Sequence, residues 1–191
     1  VGRDARVSGL MVQGLVLETL TKMGFDVVCL GLSTTPTVEI AVPIEKADAG
    51  IIITASHNPR EWNALKLLNN KGEFINAEDG KNLMSIADSN PPFDKNINLG
   101  SVIFNDSYID THIDSILKLP FVDSESIKRR KFKVVVDAVN STGGIAIPKL
   151  LERLGVETVK LYCDPTGEFP HNPEPLKENL SDLSKLVVNQ A

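Results

Sequence analysis

The chain has 191 residues, 42% hydrophobic and 5% aromatic, enough for a proper core in one large domain or two small ones. Lys and Arg number 20 against 25 Asp and Glu, a net charge of −5, which argues against a general nucleic-acid binder, whose phosphate contacts need a basic face. A small phosphorylated ligand needs only a few local cations and is not excluded. No apolar run approaches the ~20 residues required to cross a bilayer, so no membrane partner is expected. Cys29 and Cys163 lie in strand-like runs and read as buried, reduced thiols of an intracellular protein. The sequence opens at Val1 without Met and is expected to be a piece of a longer protein.

The opening VGRDARVSG leads into a helical pattern that places Val12, Leu15, Val16, Leu20 and Met23 on one face, closed by Gly24 as a C′ glycine. A strand over DVVCLGL follows, then a loop and short helix in TTPTVEIAVPIEKADAG. The strand GIIIT comes next. Its isoleucine run lacks alternation, as expected of a central strand covered on both faces. After a polar loop, ALKLLNNKGEFIN reads as a β-hairpin turning at Asn70-Lys71-Gly72, and GKNLMSIADS as a helix. The prolines, asparagines and glycine of NPPFDKNINLG mark a linker. Beyond it, Ile109, Ile113, Ile116 and Leu117 stripe an amphipathic helix, and the Lys128–Lys131 run is solvated charge before a strand.

The opening order then returns: KVVVDAVNSTGG, a helix with Ile147, Leu150, Leu151 and Leu154 on one face, Gly155, and the strand TVKLYC. Both stretches read strand, Asp, a Ser- and Gly-containing turn, helix, glycine, strand, which implies parallel βαβ units with right-handed crossovers. The expected fold is therefore α/β, with mixed, mainly parallel sheets covered by helices, in two similar consecutive domains of which the second is incomplete. The first domain is placed at 1–98, a linker and helix at 99–130, and the first part of the second domain at 131–191.

The chemistry concentrates in the loop after Ile53, IIITASHNPREWNALKLL. In open α/β sheets ligands bind beyond the carboxyl ends of strands, and Ser56 sits there. A hydrolase nucleophile is disfavoured because the G-x-S-x-G elbow is absent. Adjacent side chains on an extended chain also point apart, so Ser56 and His57 are not expected to form a dyad. A polar turn that caps the next segment and a serine that carries a phosphoryl group both stay open. A phosphoserine bears about −1.5 to −2 charge at neutral pH and needs cations and donors around it. No G-x-x-x-x-G-K-[ST] phosphate loop exists, which disfavours phosphorylation driven by a nucleotide bound to this chain. His112 reads as a surface residue, Asp137 as a strand-end cap, and His171 has no assigned role.

TASHNP followed by EWNALK resembles the phosphoserine loop of the α-D-phosphohexomutase superfamily: the phosphoglucomutases, phosphomannomutases and phosphoglucosamine mutases. VGRDARVSG is similar to an early segment of that family and GEFPHNPEP to a loop of its second domain, so the resemblance spans almost the whole chain. It implies that Ser56 is the phosphorylated residue, passing its phosphoryl group to a hexose phosphate and regaining another from a hexose bisphosphate intermediate. It implies that Lys66 is a general acid or base, that His57 belongs to the catalytic loop as a polar contact to phosphate or substrate, and that Asn58 and Asn63 bind substrate or phosphate. Arg6 is expected to support the loop or bind ligand phosphate, with a structural salt bridge to Asp4 as the alternative. Mg²⁺ is expected on the Ser56 phosphoryl group, its aspartate ligands falling past Ala191, so the chain alone is expected to be inactive. The resemblance also implies a cytoplasmic enzyme with a hexose phosphate substrate and no nucleic-acid or membrane partner; which hexose phosphate, and the oligomeric state, are not indicated. The sequence departs from the family at Ala64, where many members have glycine, and Trp62 stands where tyrosine is frequent, either as a wall of the site or as packing. A catalytically silent phosphosugar-binding module of the same fold is the alternative function.

Overall fold

The structure is a computed structural model that describes residues 1–92 and 98–190. In chain order its elements are β1 (Gly2–Arg3), α1 (Gly9–Lys22), β2 (Val27–Cys29), β3 (Gly31–Leu32), α2 (Thr35–Glu45), β4 (Gly50–Ile53), β5 (Leu65–Leu68), α3 (Ala77–Asp88), β6 (Val102–Phe104), α4 (Tyr108–Leu117), α5 (Ser124–Arg130), β7 (Lys133–Asp137), α6 (Gly143–Arg153), β8 (Glu157–Leu161), a 3-10 turn at Lys177–Leu180, and α7 (Ser181–Gln190). The main sheet has the order β3-β1-β4-β5, with β1 parallel to both β3 and β4, and β5 antiparallel to β4. Two further ladders, β2-β6 and β7-β8, are parallel. The α/β class and mixed, mainly parallel pairing match the sequence expectation.

The isoleucine run behaves as a central strand. Ile52 and Ile53 are buried, with β1 on one side of β4 and β5 on the other. Ile52 joins Leu30, Val38, Ala41, Val42, Leu68 and Tyr108 in a core cluster beneath α2, while Leu17, Val27 and Cys29 form a second cluster beneath α1. Gly24 and Gly155 follow α1 and α6 with positive φ, as the C′ reading required.

Several expectations need correction. The run DVVCLGL is not one strand: β2 pairs with β6, whereas β3 pairs with β1, and Leu30 lies buried between them. In α1 the buried positions are Gly9, Gln13 and Leu17, while Leu15 is exposed, so the inward stripe is rotated from the expected one and includes a polar residue. In α6 the same happens: Ile147 faces outward, and Ile145, Ala146 and Leu150 pack against α4. Within the segment expected as loop and short helix, Thr35–Glu45 forms α2, capped by the Thr34 hydroxyl on the Thr37 amide. The hairpin's second arm is a single bridge, Leu68 to Phe74. Cys29 is buried in β2, but Cys163 lies past β8 and is half-buried; both thiols are free. The linker reading of NPPFDKNINLG falls in part on residues 93–97, outside the described residues. The stretch read as linker and helix also contains strand β6.

His112 is not a surface residue. Its Nδ1 lies 3.0 Å from the hydroxyl of the wholly buried Thr37, and burial lowers its pKa. This contact and the Tyr108 hydroxyl, which donates to Glu45 at 2.5 Å, dock α4 on α2. The other side of α4 meets α6 through Ile109, Ile113 and Ala146, with Lys149–Asp110 and Arg153–Asp114 ion pairs at the rim. One helix thus wedges the two βαβ units together. No described helix is long and apolar enough to cross a membrane.

Leu68 is 1% exposed in the centre of the α2 cluster. Leu68→Ala is expected to destabilise the protein by about 2–5 kcal/mol, because the surrounding layers close only partly over the void. A urea titration checks this; the midpoint should fall at unchanged slope.

Candidate active site

Strands β1, β3 and β4 point their carboxyl ends the same way, and the residues that follow each of them line one cleft. These are Asp4 after β1, Ser33 to Pro36 after β3, and Thr54, Ser56 and His57 after β4. The opposite wall comes from the second unit, with Val139, Ser141 and Thr142 after β7 and with Phe169 and Pro173. The cleft has a volume of about 390 Å³. Its lining is rich in hydroxyls, and the N-termini of α2 and α6 both open on it, two ends that carry partial positive charge.

The Ser56 loop is fastened from below. Arg6 is 1% exposed, and all five of its N–H groups have partners. Nε donates to Asp4 Oδ2 at 3.0 Å, Nη1 to the carbonyls of Pro59 (2.5 Å) and Trp62 (3.0 Å), and Nη2 to those of Ser56 and Asn58 (2.8 Å each). Asp4 accepts from the Arg6 amide (3.0 Å) and the Thr54 hydroxyl (2.7 Å), and Thr54 Oγ1 accepts from the Ser56 amide (3.1 Å). In this arrangement no Arg6 N–H is left for a ligand, and the side chain holds the loop through the Asp4 salt bridge and four backbone acceptors.

Ser56 itself is exposed and adopts φ 55°, in the left-handed region. That turn overturns the extended-chain argument against a Ser56–His57 contact: Oγ and Nδ1 are 3.4 Å apart. His57 Nε2 sits 3.2 Å from Glu174 of the second unit, and Arg60 pairs with Glu168 nearby. The Asn58 side chain is exposed beside Ser56. Asn63 Nδ2 donates to Ser8 Oγ at 3.1 Å while its Oδ1 accepts from the Ala64 amide, so it ties the loop to the start of α1. Ala64 has no positive φ, so the absent glycine costs nothing there. Trp62 is 64% exposed and neither walls the cleft nor fills the core; its backbone is what the loop uses, the amide donating to the Pro59 carbonyl and the carbonyl accepting from Arg6. Lys66 lies opposite Ile52, a residue of the cleft, but does not line the cleft, and its ammonium rests over the Phe74 ring at 5.7 Å.

The second unit contributes residues that sequence reasoning missed. Gly167, at φ 77°, comes so close to the first unit that a Cβ would stand 1.9 Å from the Ala5 carbonyl oxygen, and Phe169 stacks its ring 5.1 Å from the Arg6 guanidinium. Asp137 caps the Val139 amide as expected, and its other oxygen meets His171. Apart from the Asp137 cap, no local pattern announces these contacts, because each joins residues far apart in sequence. Among the described residues no group of three or more His, Cys, Asp or Glu side chains is placed to hold a metal ion. The Asp4 carboxylate beneath the loop is already occupied by Arg6 and Thr54.

The family model of phosphoglucomutase/phosphomannomutase alpha/beta/alpha domain I matches residues 1–92, and that of domain II matches residues 110–191. The chain belongs to this family. A probable phosphoglucosamine mutase of Methanopyrus kandleri is 35% identical over 188 residues, 98% of this chain and 40% of its own length. A phosphoglucomutase/phosphomannomutase of Thermococcus kodakarensis is 37% identical over 98% of the chain and 41% of its own length. The phosphohexomutase chain described here thus spans about two-fifths of the length of the relatives it matches. Among solved structures, a phosphoglucomutase/phosphomannomutase family protein of Burkholderia thailandensis superposes with a TM-score of 0.81 at 31% identity, over all of this chain and 42% of that one. The same fold, at 23% identity and a TM-score of 0.84, is found in a putative phosphomannomutase of Thermus thermophilus, over 97% of this chain and 42% of that one.

Removing the Arg6 side chain strands the Asp4 carboxylate without its buried partner, so Arg6→Ala is expected to cost about 3–5 kcal/mol. Arg6→Lys keeps the charge but offers one compact ammonium in place of a planar fork, and should regain part of the stability without restoring the loop. Amide hydrogen exchange over residues 54–64 separates the two effects. Full protection of the loop in the lysine variant would show that charge alone fastens it.

Proposed function

We propose that this chain carries the phosphoryl-transfer serine of a phosphohexose mutase, with Ser56 as the covalent carrier. The single observation that supports this most directly is the loop itself: an exposed hydroxyl at the carboxyl end of a central strand, held in a left-handed turn by a buried guanidinium, facing a cleft onto which two helix N-termini open. A phosphoserine of about −1.5 to −2 charge there meets partial positive charge from both helices, a set of hydroxyl donors, and His57 within reach of Ser56 Oγ.

In this reading the substrate is a hexose monophosphate. Its free hydroxyl attacks the phosphorus, the bond from phosphorus to Ser56 Oγ breaks, and a hexose bisphosphate forms; the reverse transfer from the other position regenerates the phosphoserine. His57 and Asn58 contact the phosphoryl group or the sugar. Lys66 takes or returns the hydroxyl proton, leaving its place over Phe74 to reach the cleft that its strand partner Ile52 lines. A divalent cation at the Ser56 phosphoryl group would take its carboxylate ligands from outside the described residues, which bring no three His, Cys, Asp or Glu side chains together.

Two substitutions in the full-length protein test the assignments. Ser56→Ala removes the carrier and is expected to abolish most turnover of glucose, mannose and glucosamine phosphates, with incorporation of phosphate lost at the peptide that contains residue 56. Near-normal turnover, with hexose bisphosphate supplied, would sink the reading. Lys66→Ala is expected to lower kcat by roughly 10²–10⁴-fold with little change in KM; an effect confined to KM would make Lys66 a binding residue.

A further inference from the structure

His171 stands apart from the cleft, in the loop of the second unit that reaches the Ser56 loop. Its Nε2 lies 2.9 Å from Asp137 Oδ2 and its Nδ1 lies 2.8 Å from the Asn172 carbonyl oxygen. Both partners are acceptors only, so both contacts are hydrogen bonds only when both ring nitrogens carry a proton, that is, as the imidazolium. The Asp137 side chain is 5% exposed at the end of β7 and is held by the Val139 amide at its other oxygen. The Tyr162 ring meets the imidazole edge-on with centroids 5.8 Å apart, and the Tyr162 hydroxyl donates to Asp182 of α7 at 3.1 Å.

Residues on either side of His171 touch the first unit. Glu168 pairs with Arg60, the Phe169 ring lies against Arg6, Pro173 lines the cleft, and Glu174 pairs with His57. The loop's start is tied by the Gly167 amide to the Asn140 carbonyl and by the Asn140 side chain to the Glu168 carbonyl. Its far half has His171 as the fastening to the β7 end.

We propose that His171 is a proton-operated latch: as the imidazolium it pins residues 168–174 to the end of β7 and so positions Glu174 and Phe169 against the Ser56 loop, and as the neutral ring, without the ionic attraction to Asp137 and with one bond fewer, it holds them less tightly. A neutral imidazole has one N–H for two acceptors. The unprotonated nitrogen then turns a lone pair toward either a carboxylate or a carbonyl, and one of the two ties is lost. The groups that face the ring are Asp137 from β7, Asp182 from α7 with Lys185 beside it, the Tyr162 hydroxyl from the segment after β8, and the Asn172 carbonyl from its own loop. Burial opposes the charge on His171, but the bonds to Asn172 and Asp137 and the carboxylates of Asp137 and Asp182 outweigh it and raise the pKa above its ordinary value. A raised folded-state pKa means the latch contributes fully below the unfolded value of about 6.5 and is lost as pH rises through the folded value. The inference stands on the loop geometry and holds whether or not Ser56 carries phosphate.

The test follows the His171 ring carbon resonances by NMR in the intact protein from acid to alkaline pH, together with amide exchange protection of residues 168–174. His171 is expected to titrate above the ordinary histidine range, and protection in that segment, corrected for intrinsic exchange, is expected to fall over the same interval. Asp137→Asn should move the titration downward. His171→Gln, which offers one donor and one acceptor, should leave the segment weakly protected at every pH and erase the step. Titration of His171 at or below the ordinary value, or a flat protection profile across its titration in the unaltered protein, would overturn the latch without bearing on the role of Ser56.

Discussion

A buried guanidinium shapes this molecule's site. Placing Arg6 at 1% exposure removes a full charge from water, a placement stable only with a paired carboxylate and complete hydrogen bonding. Asp4 supplies the charge, and the carbonyls of Ser56, Asn58, Pro59 and Trp62 supply the remaining acceptors. The consequence is geometric. Four carbonyls drawn to one planar fork curl the backbone around it, and the side chains of Ser56, His57 and Asn58 are left on the exposed side. The loop's shape is thus set by the side chain beneath it, and Thr54 transmits the same anchor from Asp4 to the Ser56 amide.

The second unit completes what the first begins. The helix α4 packs on α2 through Tyr108 and His112 and on α6 through Ile109 and Ile113, which brings the carboxyl ends of β1, β3, β4 and β7 to one cleft. Its lining holds many hydroxyls and amides and little net charge, because Asp4 is neutralised by Arg6. Such a surface favours an anion through dipoles, and leaves room for a ligand that brings its own charge. Exposed pairs such as Arg60–Glu168 add little to stability, but they orient the two loops toward each other.

Much of this was legible in the residues. The unalternating isoleucines marked the central strand, the glycines after α1 and α6 marked their ends, and TASHNP marked the loop. What escaped notice has physical reasons. The apolar run DVVCLGL reads as one strand because hydrophobicity reports burial and not which neighbour a strand takes; β2 and β3 in fact join different ladders. Gln13 inside and Leu15 outside invert the expected stripe of α1, since a polar residue at a core position leaves no periodic signal. The Ser56–His57 proximity depends on a left-handed serine, a conformation that residue type alone does not announce. His112 and His171 find their partners in distant segments, Thr37 and Asp137, and no local pattern links them.

The backbone strain falls in a telling place. Apart from glycines, positive φ occurs at Ser56, Val139, Asn140 and Tyr162, besides positions such as Lys46 and Lys131 that end helices. A branched residue such as Val139 at φ 44° is costly and persists only where its surroundings over-determine it. Here they do: Asp137 holds the Val139 amide, and the Asn140 amide donates to the Tyr162 carbonyl at 2.6 Å. Ser56 is held in the same manner by Thr54 and Arg6. Ser56 and Val139 both line the cleft, one from each unit, and Asn140 and Tyr162 adjoin the His171 loop. Each βαβ unit therefore departs from relaxed geometry just beyond its strand ends, where the two face one another. Such strain costs free energy at each turn, and it is concentrated on the two walls of one cleft instead of being spread over the chain's other connections.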